Sequence, residues 1–257
     1  SLGYLKSKAN TPEMVDECLK FYGVASPSQW ESVYVNQYLS TDFRKSEAHK
    51  TSLGGLATFL RIGELEMASM KLSKYNKKVF KDSLIEIKKI VQSHPSDFAE
   101  RLREICASSG VALVYTSNIP KAPISGVARW VRGIPLIQLT DRYKWNDHFW
   151  FSFFHEAGHI LLHGKKDIFI EDSEYIENDD MKEAEANDFA RKTLLSPKFL
   201  ENLPKKFTEK DLRKIARDYN THPAIVLGQL QRLEKAPFSF GHNLKLKIDL
   251  SRLVKKE

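Results

Sequence analysis

Hydrophobic positions along the chain change their period twice, and the changes divide it. Residues 11–23 repeat at the helical spacing, with Thr11 as cap, Pro12 in the first turn and Gly23 as stop. Ser26 to Trp30 reads as a capped turn. Helical periodicity returns over about 44–72, with an expected interruption at Gly54-Gly55. A lysine-rich bridge, Lys71 to Lys81, leads into helices at about 77–93 and 96–109. At Gly110 the period falls to two. Val111 to Tyr115 reads as a strand, Gly126 to Arg132 as a half-exposed strand, and Pro135 to Thr140 as a third strand in a hairpin turning at Gly133. Helix resumes from about Asp147 to His163, with Gly164 as stop, and again over about 182–195. Between them, the acidic stretch Glu171 to Asp180 reads as a mobile loop. Helices at about 208–219 and 222–234 precede a basic tail in which Leu244 to Leu250 alternates.

This order predicts an α+β fold. A helical region at 1–75 precedes a domain at 76–257 that carries a small sheet. Hydrophobic residues make up 42% of the 257 and charged residues 28%, which suits a globular chain and excludes disordered or collagen-like classes. The net charge of +7 comes from dispersed lysines, so weak, nonspecific attraction to nucleic acid is the most it predicts. The longest apolar run, Phe149 to Phe154, is far too short to span a bilayer. Two distant cysteines, Cys18 and Cys106, cannot build a disulfide framework, and no secretory signal opens the sequence. Reduced thiols and a cytoplasmic location are the expectation.

One segment carries chemistry. His155 and His159 stand four residues apart on a helix, about 40° apart around its axis, so both imidazoles can reach one metal ion. Glu156 lies about 100° from His155 and about 60° from His159, flanking the metal where a general base for the attacking water belongs. The pattern H-E-x-x-H arises by chance in roughly two of a hundred such chains. Here the aromatic run before it would bury the helix, and buried histidines need partners, which a shared Zn²⁺ supplies. His163 is four residues further on the same face, as a residue behind the ligands or a structural helix-end histidine. A third histidine at 165 would mark a metzincin, and that position is Lys165.

The third ligand should be a carboxylate on the following helix. Glu183 shares a face with Asn187, Ala190 and Leu194, whereas Glu185 falls with Asp188 and Lys192 on a face that reads as solvated. Glu183 is therefore the inward carboxylate, and Asn187 is placed to hydrogen-bond a ligand imidazole behind the metal. Pro135 to Thr140 is either an edge strand that accepts extended substrate or a plain core strand.

Asp147-His-Phe-Trp-Phe151, His155-Glu-Ala-Gly-His-Ile-Leu-Leu-His163, Glu183-Ala-Glu-Ala-Asn-Asp-Phe-Ala190 and Leu194-Leu-Ser-Pro197 together resemble the ImmA/IrrE family of metallopeptidases, most strongly over about 111–235. The resemblance implies a zincin-like domain with His155, His159 and Glu183 as zinc ligands and Glu156 as base. It implies a protein substrate of the repressor or antitoxin kind, cleaved under stress or induction. The N-terminal segment around Phe21-Tyr-Gly-Val24 and Trp30 resembles the linker that follows a helix-turn-helix in HigA-like regulators, and the resemblance implies that Ser1 marks a boundary beyond such a domain.

Two other functions stay open at this point. One is an antitoxin or transcriptional regulator whose zincin-like domain senses or binds without cutting. It draws on residues 208–234, where two helices flank Tyr219-Asn-Thr-His-Pro223 and loosely imitate a helix-turn-helix, although Ile225, Val226, Leu227 and Leu230 read as core. The other is a toxin-binding module made from the N-terminal helices.

Overall fold

A computed structural model describes residues 11–36, 50–117, 119, 124–140, 142, 144–164, 169–170 and 180–250, with side chains for all of these except 35–36, 50–52 and 169–170. Helix α1 (Pro12–Tyr22) is capped by Thr11, whose side chain accepts from the Met14 amide, and stops at Gly23. A short α2 (Pro27–Trp30) runs into a π-type turn at Glu31–Asn36. Helix α3 (Lys50–Ala68) passes through Gly54-Gly55 without a break. Two glycines cost a helix roughly 2 kcal/mol, and the burial of Leu56, Phe59, Leu60 and Met67 outweighs it. Next come α4 (Lys77–Ser93) and α5 (Phe98–Ser108), so the lysine-rich bridge ends where Asn76 caps α4.

Four strands form one sheet: β1 (Ala112–Tyr115), β2 (Gly126–Val131), β3 (Ile134–Leu139) and the two-residue β4 (Phe169–Ile170), in the order β1-β3-β2-β4. β1 runs parallel to β3, and β2 is antiparallel to both β3 and β4. β2 and β3 are joined by Arg132-Gly133, with φ of 51° and 81°. Positive φ at both central residues is the type I′ hairpin, whose twist matches that of the strands.

One sequence expectation fails here: β2 is not half-exposed, because the sheet is covered on both faces. For 135–140 the order of strands selects the core-strand alternative over the edge strand, since β3 lies between β1 and β2. Leu113, Tyr115, Ala128, Ile137 and Leu139 face the main core, while Ala112, Val114 and Leu136 form a second cluster with Met67 of α3. β2 alternates apolar and polar residues because Arg129 is paired inside that second layer: its Nη1 donates to Glu64 Oε1 (2.9 Å) and its Nη2 to the Leu60 carbonyl. Gln138 Nε2 donates to the Phe59 carbonyl at 2.7 Å.

Helix α6 (Asn146–Leu162) crosses the other face of the sheet, buried along nearly its whole length. It ends at His163, in an extended conformation, one residue before the expected Gly164. The acidic stretch expected to be a mobile loop lies outside the described residues up to 179, and α7 (Asp180–Leu194) follows. A 3-10 turn at Pro197–Asn202 leads to α8 (Glu209–Asp218) and α9 (Pro223–Arg232). Leu212, Ile215 and Ala216 of α8 and Ala224 to Leu227 with Leu230 of α9 are buried, so the pair is a packed hairpin of the core. The tail forms a 3-10 turn at His242–Leu244 and a single bridge between Trp145 and Lys247. Cys18 and Cys106 are free thiols. Among the described residues, no helix is long and apolar enough to cross a membrane.

Candidate metal centre

Helix α6 is rooted by Phe149, Trp150, Phe153 and Phe154, all in the main core. That anchoring fixes its rotation and sets His155, Glu156 and His159 at 2%, 0% and 2% exposure. Three polar side chains so deeply buried on two turns of helix are costly unless they converge on something that satisfies them. Phe151, one turn before His155, stacks its ring against that imidazole with centroids 6.2 Å apart.

Helix α7 supplies the third group. It crosses α6 closely because the contact is built from small residues: a side chain at Gly158 would come within 3.3 Å of the Ala186 Cα. The crossing brings Glu183 Oε2 to 3.2 Å from His155 Nε2 and Glu183 Oε1 to 3.4 Å from His159 Nε2. The two Nε2 atoms are 3.0 Å apart. His155, His159 and Glu183 thus form a group able to hold a metal ion, with one donor atom from each lying within 4.8 Å of the others.

The spacing tests whether a metal fits. Bonds of about 2.0–2.2 Å from a metal to nitrogen and oxygen give a tetrahedron with edges of about 3.3–3.6 Å. Of the three separations, 3.4 Å lies within that range, and 3.2 and 3.0 Å fall slightly short of it, so a small outward shift of the donors admits the ion. Charge states agree. Burial opposes ionisation of Glu183, but hydrogen bonds from His155 and His159 outweigh it and hold the carboxyl down at about 2. Burial takes His159 down to about 4 against the opposing pull of Glu183. At neutral pH the group therefore offers a carboxylate and an uncharged His159 imidazole, the forms that ligate metals.

Glu156 lies beside this triangle, against the start of β2. A side chain at Gly126 would meet Glu156 Oε1 at 2.5 Å, so only glycine leaves the carboxylate its place. Sequence reasoning passed over Gly126, whose one signal was a glycine opening a strand.

His163 stands behind His159, with its Nδ1 2.9 Å from His159 Nδ1. Its Nε2 is 3.0 Å from Glu185 Oε2. Asn187 is half-buried one turn after Glu183. Glu185 is 55% exposed at its side chain, in keeping with a solvated face, and Asp188 pairs there with Lys192 at 2.6 Å. Yet Glu185 is joined to the histidine ladder of α6, which the helical wheel did not anticipate.

Residues 106–231 match the M78 peptidase family, in its IrrE N-terminal-like domain. No curated protein matches the chain. The matched segment runs from the end of α5 to the end of α9 and contains every residue of the metal-binding group and of the carboxylate beside it. The chain thus carries an M78 metallopeptidase domain, consistent with an ImmA/IrrE family protein.

Proposed function

We propose that the protein is a zinc-dependent endopeptidase of the H-E-x-x-H type, with His155, His159 and Glu183 as ligands and Glu156 as general base. One observation carries this reading: three ligand-type atoms stand at metal-coordination spacing with a buried carboxylate beside them. Zn²⁺ held there would supply a Lewis acid that polarises the scissile carbonyl and acidifies water. Glu156 takes the proton from the attacking water as its oxygen bonds to the carbonyl carbon. It then delivers that proton to the amine nitrogen as the C–N bond breaks. The strand start at Gly126 and the core packing of α6 hold the carboxylate in position for both transfers.

The substrate we propose is a specific repressor or antitoxin, cleaved in a stress or induction response. Support for that class is the family resemblance. The free thiols Cys18 and Cys106 favour a reducing, cytoplasmic setting. Incubating the zinc-loaded protein with repressor-like and antitoxin-like proteins encoded beside it tests the proposal. Wild type cuts one of them at a single site and Glu156→Gln does not. Equal cleavage by the two proteins removes Glu156 from the mechanism, and no cleavage of any partner by wild type favours a regulator that binds without cutting.

A further inference from the structure

Helix α7 sends two carboxylates to α6. Glu183 reaches His155 and His159 directly. Glu185 reaches only His163, which in turn reaches His159. We propose that Glu185, acting through His163, is a positioning residue that holds the ring orientation of His159, and so aims its Nε2 to ligate. This inference rests on the zinc-site reading above and deepens it.

The contacts run in one line. Glu185 Oε2 lies 3.0 Å from His163 Nε2, and His163 Nδ1 lies 2.9 Å from His159 Nδ1. The far nitrogen of His159, Nε2, then faces the point shared with His155 Nε2 and Glu183. A ring held at Nδ1 by a neighbour that is itself held keeps one orientation, and that orientation aims Nε2 at the metal-binding group.

Burial makes the relay effective. The His163 side chain is 3% exposed although it caps a helix end, so its ring is held away from competing water. Its backbone N–H donates to the His159 carbonyl at 3.0 Å, which locks the two residues one turn apart. An imidazole backed by an acceptor is the common arrangement around ligating histidines, and loss of such a partner typically lowers metal affinity 10–100-fold. Here the partner is a second imidazole and the carboxylate lies one step further out, so the lower end of that range is expected.

Zinc affinity by chelator competition with the full-length protein tests the inference, alongside thermal unfolding of the metal-free form. In Glu185→Ala zinc affinity should fall about tenfold while the melting temperature stays near wild type. Glu185→Gln, whose amide oxygen can accept from His163 Nε2, should restore most of the affinity, a rescue that a merely structural role would not give. Should the alanine variant not fold, Glu185→Ser is read in its place. Unchanged zinc affinity in the alanine variant overturns the relay, and so does a glutamine variant that binds no tighter than alanine. Failure of wild type itself to bind zinc would instead refute the metal-site reading on which the inference rests.

Discussion

The two faces of the sheet both bury polar side chains, and they do so to different ends. On the α3 face, Arg129 and Gln138 are buried and answered by fixed groups: Arg129 donates to Glu64 and the Leu60 carbonyl, and Gln138 to the Phe59 carbonyl and the Thr116 hydroxyl. Glu64 continues outward to Arg61, which donates to the Phe21 carbonyl at 2.6 Å and so ties α1 to the sheet. On the α6 face, His155, His159 and Glu183 turn their donor atoms toward one another around a common point. Burial alone therefore does not mark a functional site. A polar group answered by backbone carbonyls and a salt bridge builds the fold. Three ligand-type side chains with donor atoms within 4.8 Å of one another form a group that one metal ion can share.

Substitutions on the two faces should separate stability from chemistry. The largest effect is expected from Glu156→Gln. The amide keeps the shape but cannot take a proton at neutral pH, so kcat should fall by about 10²–10⁴-fold, the usual contribution of general base catalysis. Zinc content and melting temperature should stay near wild type, and retained turnover in a peptide-cleavage assay would show that the base lies elsewhere.

Next in size is Arg129→Met on the opposite face. Removing one partner of a buried ion pair typically costs about 3–5 kcal/mol, and Glu64 would keep only Arg61. Urea unfolding should show this loss while the folded fraction binds zinc as wild type does. A variant with full stability and weakened zinc binding would dissolve the distinction between the faces.

Third is Glu183→Ala. It leaves two histidines to hold the metal, and zinc affinity should drop by at least about tenfold, a loss seen even for residues behind the ligands. The metal-free protein should also lose stability at neutral pH, because a carboxyl held below its usual range by His155 and His159 contributes stability there. Chelator competition measures the first effect and thermal unfolding the second.

The smallest effect expected is at a third kind of histidine. His94 accepts from Trp150 Nε1 at 3.1 Å and stacks on Phe98. Burial, with a smaller contribution from His222, takes it down to about 4. A histidine depressed in the folded state contributes stability above its unfolded pKa of about 6.5, and that contribution is lost as pH falls toward 4. Protonation also turns the nitrogen facing Trp150 from acceptor to donor. His94→Asn suits the left-handed backbone there, with φ of 41°. It should flatten the decline in stability between pH 6.5 and 4, and an unchanged slope would take His94 out of the acid response.

What the sequence made legible is what depends on neighbours a few residues apart. The Thr11 cap, the i and i+4 histidines, and Glu183 on the face of Ala190 and Leu194 all follow from helical phase. What it hid depends on packing between distant segments. Arg129 meets Glu64 across 65 residues, so nothing near β2 reveals that its second face is covered. Gly126 reads as an ordinary strand glycine until Glu156 is seen against it. The wheel of α7 sets Glu185 opposite Glu183, yet the close crossing at Gly158 lets it reach His163 from the flank.

The central claim is that His155, His159 and Glu183 hold one zinc ion, and X-ray absorption at the zinc edge of the loaded full-length protein tests it most directly. The account predicts one zinc per chain, two imidazoles in the first shell, and all ligands nitrogen or oxygen at about 2.0–2.2 Å. A sulfur ligand at about 2.3 Å, a shell without paired imidazoles, or no bound zinc after reconstitution would contradict it.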